Sequence, residues 1–155
     1  MAAPAPVRVA RLLLAALVVV GCHTAAPPGD RPTHLVDLPV GSIERIDVRD
    51  PATGRTGHLV RGDAALEGLE GDLAPLLAIR LLDRRRPDYG LDPPRLDVTI
   101  TTASRTVHLL VGGPNFDDTA VYVGIGSRTA LVLPSIATTL AAVLVTLSPS
   151  APGSP

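Results

Sequence analysis

Between residues 95 and 133 the chain repeats one device four times, and few folds accept it. Leu96, Val98, Ile100 and Thr102 alternate with Asp97, Thr99 and Thr101. A period of two sends successive side chains to opposite faces, so 95–102 is read as a strand with one buried and one wetted side. Ser104 and Arg105 turn the chain into 106–111, where Val107, Leu109 and Val111 repeat the pattern. A loop over 112–119 leads to 120–125, and Gly126-Ser127 turns that strand into 129–133. Short turns of this kind join antiparallel neighbours, so the stretch predicts a four-strand meander.

The same pattern opens the folded part. Ile46 and Val48 oppose Arg45, Asp47 and Arg49 over 42–49, Asp50-Pro51-Ala52-Thr53-Gly54 has turn chemistry, and 56–61 returns as the second arm of a hairpin. Residues 62–71 carry three glycines, which weaken a helix, and are read as a loop with about one helical turn. A helix is expected over 72–84, capped by Asp72, with Leu73, Leu76, Leu77 and Leu81 at helical spacing and Pro75 in the first turn. Arg84-Arg85-Arg86 would close it, positive charge complementing the carboxyl end of the dipole. Pro134-Ser135 begins a last helix with Ile136, Leu140, Val143, Leu144 and Leu147 on one side. The expected fold is α+β, an antiparallel sheet of about six strands in the order ββ-α-ββββ-α with the helices on one face.

A different signal governs the amino end. Arg8 and Arg11 precede nine apolar residues over 12–20, and Val19-Val20-Gly21-Cys22 closes the run. Nine helical residues reach about 14 Å, and about 26 Å if residues 2–9 are included, short of a hydrocarbon core of about 30 Å. The stretch is read as a lipoprotein signal: acylation of the Cys22 thiol, cleavage between Gly21 and Cys22, and membrane attachment outside the cytoplasm. The resulting division is a signal peptide over 1–21, a Pro-rich tether over 22–39, one domain over 40–147 and a polar tail over 148–155. His23 is not an aspartate, so the best-known inner-membrane retention signal is absent and the choice of membrane stays open.

Of the 155 residues, 134 remain after cleavage at Cys22, enough for one self-sufficient core. Cys22 is the only cysteine, so no disulfide or metal staple is expected and no cofactor is implied. Losing Arg8 and Arg11 leaves 12 basic against 15 acidic residues, a mild acidity that argues against nucleic acid as a partner. The aromatic residues are Tyr89, Phe116 and Tyr122, too few for a broad sugar-stacking surface.

Tyr89-Gly90-Leu91-Asp92-Pro93-Pro94 leading into Arg95-Leu96-Asp97-Val98-Thr99-Ile100 resembles the central signature of the domain of unknown function 4340. Ile46-Asp47-Val48, Leu109-Leu110-Val111-Gly112, Ala120-Val121-Tyr122-Val123 and Ala130-Leu131-Val132-Leu133-Pro134 look like the other strands of that family, over about residues 42–144. The tryptophan segment usual before the first helix is missing, replaced by 63–71. The resemblance implies an accessory, non-enzymatic component of the gliding-motility or ABC-transporter auxiliary type, and it carries no catalytic residues over. The signature itself reads as a structural corner: Gly90 permits unusual backbone, Leu91 plugs the core beneath the helix end, and Pro93-Pro94 forces an extended entry into the next strand.

Other constellations offer less chemistry. Gly124-Ile125-Gly126-Ser127-Arg128 has the wrong spacing for a nucleophile elbow and sits in a hairpin turn. His58 and His108 lie on separate strands without metal-ligand spacing and read as exposed strand histidines. Arg84–Arg86 reads as a solvated helix end, with anionic lipid or polysaccharide as the alternative. The loop around Asn115, Asp117 and Asp118 gathers an amide, two carboxylates and Phe116 and is read as a candidate ligand loop, with calcium as the cation its oxygens would suit, although the ligands do not alternate over a dozen residues. The expected function is that of a lipid-anchored envelope protein binding a protein partner, with a small-ligand or glycan-binding domain as the alternative.

Overall fold

The computed structural model describes residues 33–146. Cys22 and the signal sequence, the first part of the tether, and the tail from residue 147 lie outside the described residues. The order of elements is β1 (Thr33–His34), β2 (Ile43–Arg49), β3 (Thr56–Val60), α1 (Ala64–Leu73), β4 (Leu77–Ala78), β5 (Arg80–Leu82), a 3-10 turn at Pro87–Tyr89, β6 (Leu96–Thr102), β7 (Thr106–Pro114), β8 (Val121–Ile125), β9 (Arg128–Val132) and α2 (Pro134–Thr146). The architecture is α+β with an antiparallel sheet. The sheet has seven strands in the order β3-β2-β6-β7-β8-β9-β5, and β1 pairs with β4 in a separate two-stranded ladder.

The meander and the hairpin form where their alternation places them. Ile46 stands opposite Ile100, and Ile100 opposite Val107; Val48 opposite Val98, and Val98 opposite Leu109. Leu96, Val111, Val123 and Ala130 continue the row to the far strands. These residues face one side of the sheet and share one core with Leu66, Leu69 and Leu73 of α1 and Ile136, Leu140, Val143 and Leu144 of α2. Against this face α2 comes so close to β3 that a Cβ at Gly57 would lie 2.7 Å from the Val143 carbonyl oxygen.

Three expectations change. The glycine-bearing stretch read as a loop is helix α1: Leu66, Leu69 and Leu73 are buried at a spacing of three and four, while Gly68 and Gly71 face open space. Packing of the leucine stripe outweighs the weak propensity of the glycines. The helix expected over 72–84 ends near its start instead, because Pro75 has no N–H to continue the ladder, and residues 77–82 pair as β4 and β5 with β1 and β9. Glu70 ties the two layers together: its carboxylate accepts from the Ile43 N–H at 2.9 Å, at the start of β2.

The tether also ends earlier than residue 39. Thr33–His34 is β1, and Leu35, Val36 and Leu38 are buried in the core. The Leu35 N–H donates to the Leu76 carbonyl at 2.7 Å, the Leu38 N–H donates to the Ala74 carbonyl at 3.0 Å, and the Arg128 guanidinium donates to the Leu35 carbonyl at 2.6 Å. Among the described residues, no helix is long and apolar enough to cross a membrane.

Candidate functional site

The corner and the 115–119 loop, far apart in the sequence, meet at one end of the sheet. Pro87 fixes the first residue of the 3-10 turn, and Gly90 ends it in the left-handed region at φ 63°, where its N–H donates back to the Pro87 carbonyl. The chain then passes over β7. A Cβ at Gly112 would lie 2.2 Å from the Tyr89 carbonyl oxygen, and one at Gly90 would lie 3.0 Å from the Gly113 amide nitrogen. The corner backbone therefore rests on bare backbone of the strand that leads into the loop.

Leu91 is buried, but not under a helix end. Its methyl groups lie 3.1 Å from where a Gly112 Cβ would stand and 3.5 Å from that of Gly124, on the strand face opposite the helices. It belongs to a small second cluster, outside the main core. Tyr89 is in the same cluster and stacks on Tyr122 with ring centroids 4.0 Å apart and an interplanar angle of 13°. Burial, followed by the nearby phenol of Tyr89 and the Asp88 carboxylate, raises the Tyr122 phenol above its ordinary range. Arg85 lies against Gly124 and donates to the Gly126 carbonyl at 3.2 Å, holding the approach to the corner. The Asp92–Pro93 peptide is cis, and Leu91 bridges to Pro94 before β6 begins.

The loop is braced from within. The Asn115 side-chain oxygen accepts from the Ala120 N–H at 2.9 Å, and its amide nitrogen donates to the Thr119 hydroxyl at 3.3 Å. Asp117 accepts from the same hydroxyl at 2.7 Å and from the Thr119 N–H at 3.3 Å, and these bonds hold its carboxyl below the usual range. Asp118 takes a left-handed backbone at φ 58° to close the turn. The Asn115 oxygen and one Asp117 oxygen are thus bonded within the loop itself. No group of three or more His, Cys, Asp or Glu among the described residues is placed to share a metal.

What this bracing presents is Phe116, 96% exposed. All three aromatic residues of the chain thus gather at one end of the sheet, Tyr89 and Tyr122 as a stacked floor and Phe116 bare on the adjoining loop. Asp88 and Asp117 both act on Tyr122 at that end, offset in part by Arg86, and leave it an acidic rim. The joining of corner and loop was not predicted from their spacing; Gly112-Gly113 just before the loop is the signal for it, since paired glycines in a strand mark a close backbone approach.

The two strand histidines share a row on the sheet face away from the helices. His58 stands opposite Asp47, Asp47 opposite Thr99, and Thr99 opposite His108. Three strand spacings put the imidazoles about 14 Å apart, too far to share a metal. Asp47 is engaged by Arg45, whose bidentate hydrogen bonds at 2.6 to 2.9 Å hold its carboxyl below the ordinary range, and Thr99 lies 3.3 Å from His108. Comparison with protein-family models, with curated proteins and with solved structures found no match.

Proposed function

We propose that this chain is a lipid-anchored envelope protein, attached through Cys22, and that its folded part is a non-enzymatic accessory domain that docks on another envelope protein. The observation that carries the docking reading is the near-complete exposure of Phe116 on a loop whose polar groups are bonded to one another. Leaving a phenyl ring in water is unfavourable, by about 1.5–3 kcal/mol relative to burying it. A rigid loop that holds it out loses little entropy when a partner covers it. The acidic rim gives the socket a chemistry: an apolar pocket with basic residues around it.

The anchoring reading is supported by the arginine pair, the short apolar run and the sole cysteine at its end. The resemblance to the domain of unknown function 4340 supports an accessory role beside a transporter or motility assembly. The alternative is a small-ligand or glycan-binding domain using the same loop, and the internal bonds of Asn115 and Asp117 favour the docking reading over it. A photo-crosslinking amino acid at position 116, expressed in the native cells, is expected to trap one protein of fixed mass, while the same probe at Thr53 on the β2–β3 turn traps none. Diffuse or absent products at 116, with the domain folded, would reject the docking reading. Mass spectrometry of the purified chain is expected to show cleavage before Cys22 with acyl groups on it.

A further inference from the structure

The β4–β5 edge combines three features that the docking site does not use. Leu77, Ile79 and Leu81 are 42–43% exposed along it, and Leu133, just past the neighbouring strand β9, is 59% exposed. Arg80 within β5 and Arg84 just after it are exposed, and among the described residues no carboxylate forms a salt bridge with them. Finally, the chain enters the fold here. Thr33 pairs with Ala78 and His34 with Leu77 in antiparallel register, so the backbone upstream of Thr33 leaves on the Ile79 side. Cys22 lies eleven residues before Thr33, a span of at most about 40 Å at about 3.5 Å per residue.

We infer that this edge is the membrane-facing surface of the domain, with the exposed leucines and isoleucine in the lipid interface and Arg80 and Arg84 against anionic phosphate headgroups. The inference rests on anchoring at Cys22. An acyl chain at that position delivers to the bilayer the side of the molecule on which the chain emerges, and apolar side chains flanked by guanidinium groups suit the boundary between headgroup and hydrocarbon. Between residues 72 and 85 the carboxylates are Asp72 and Asp83 and the guanidiniums Arg80, Arg84 and Arg85, so the edge keeps a positive balance of one. The acidic rim around Phe116 would be repelled by the same lipids, which separates this surface from the docking loop.

The chain has no tryptophan, so a single one introduced at Ile79 reports this edge alone. The acylated protein carrying Ile79→Trp, purified from membranes and placed in brominated phosphatidylcholine vesicles with phosphatidylglycerol, is expected to show quenched emission. Leu77→Trp serves as a second probe should the first disturb the edge, and Thr53→Trp, on the distant turn, is expected to stay unquenched. In vesicles lacking phosphatidylglycerol, and in a variant with Arg80→Ser and Arg84→Ser, quenching is expected to fall. Each arginine lost weakens contact about fivefold. Unquenched emission at 77 and 79 from protein that remains vesicle-bound would overturn the inference and leave the anchor intact. Equal quenching without phosphatidylglycerol would overturn the headgroup assignment. Protein that carries no acyl group and does not stay with vesicles would instead refute the anchoring reading on which the inference depends.

Discussion

Thr119 is the residue on which the exposed loop depends. Its hydroxyl and N–H both go to Asp117, and the hydroxyl bond is the main cause of the lowered Asp117 carboxyl. A carboxyl whose folded value is depressed adds stability above its unfolded value, near 3.9, and loses it as pH falls through the folded value. An NMR titration of the native chain is therefore expected to place the Asp117 midpoint below the ordinary carboxylate range, with the loop loosening only below it. Thr119→Ala should return the midpoint toward the ordinary value. An unchanged midpoint would show that the loop is not braced through this pair. The residues of the loop were legible in the sequence, but the bonds among them were not: residue type marks Asn115 and Asp117 as oxygen donors, and only the geometry shows them bonded to Ala120 and Thr119.

Among the elements, the strands were readable because alternation is imposed by the pleat, and every strand of the meander appears within a few residues of its expected limits. The segment between residues 62 and 84 was not, for two physical reasons. Leu66, Leu69 and Leu73 make a buried helical stripe whose packing overrides glycine propensity, while Leu73, Leu76, Leu77 and Leu81 fall at helical spacing by coincidence in a chain that Pro75 has already broken. The alternation of Leu77, Ile79 and Leu81 was the competing signal for β4 and β5. Helix α1 is fastened by Glu70, so Glu70→Ala is expected to destabilise the fold by about 1–3 kcal/mol in denaturant unfolding, the cost of stranding the buried Ile43 N–H. Glu70→Gln, which keeps an acceptor, should lose less. At the corner, Gly112→Ala pushes a methyl into the Tyr89 carbonyl and should unstack Tyr89 from Tyr122, read as a change in tyrosine near-ultraviolet circular dichroism. An unaltered spectrum would mean that the corner does not depend on that close approach.

On the scale of the whole molecule, the sheet works as a two-sided divider. Its helix-covered face holds the core; among the described residues the corner covers part of the other face, where the row of His58, Asp47, Thr99 and His108 runs with both histidines exposed and Asp47 and Thr99 half-buried. Antiparallel sheets tolerate one wet side, which explains why this row needs no ligand to be stable. The stretch 33–38, read as tether with the Pro-rich residues on either side of it, is instead integral to the core. Leu35→Ala is accordingly expected to cost about 2–5 kcal/mol in thermal or denaturant unfolding, as a buried leucine does, where a tether residue would cost nothing measurable.

That integration has a mechanical consequence. If the chain is held at its amino end, any pull on the domain is borne first by the two-residue ladder of β1 on β4, by the Arg128 clamp on the Leu35 carbonyl, and by the side chains of Leu35, Val36 and Leu38. Tension that peeled this strip away would bare the floor beneath it and loosen the seat of α1 through Ala74 and Leu76. A load applied at the amino end would thus be felt inside the domain itself.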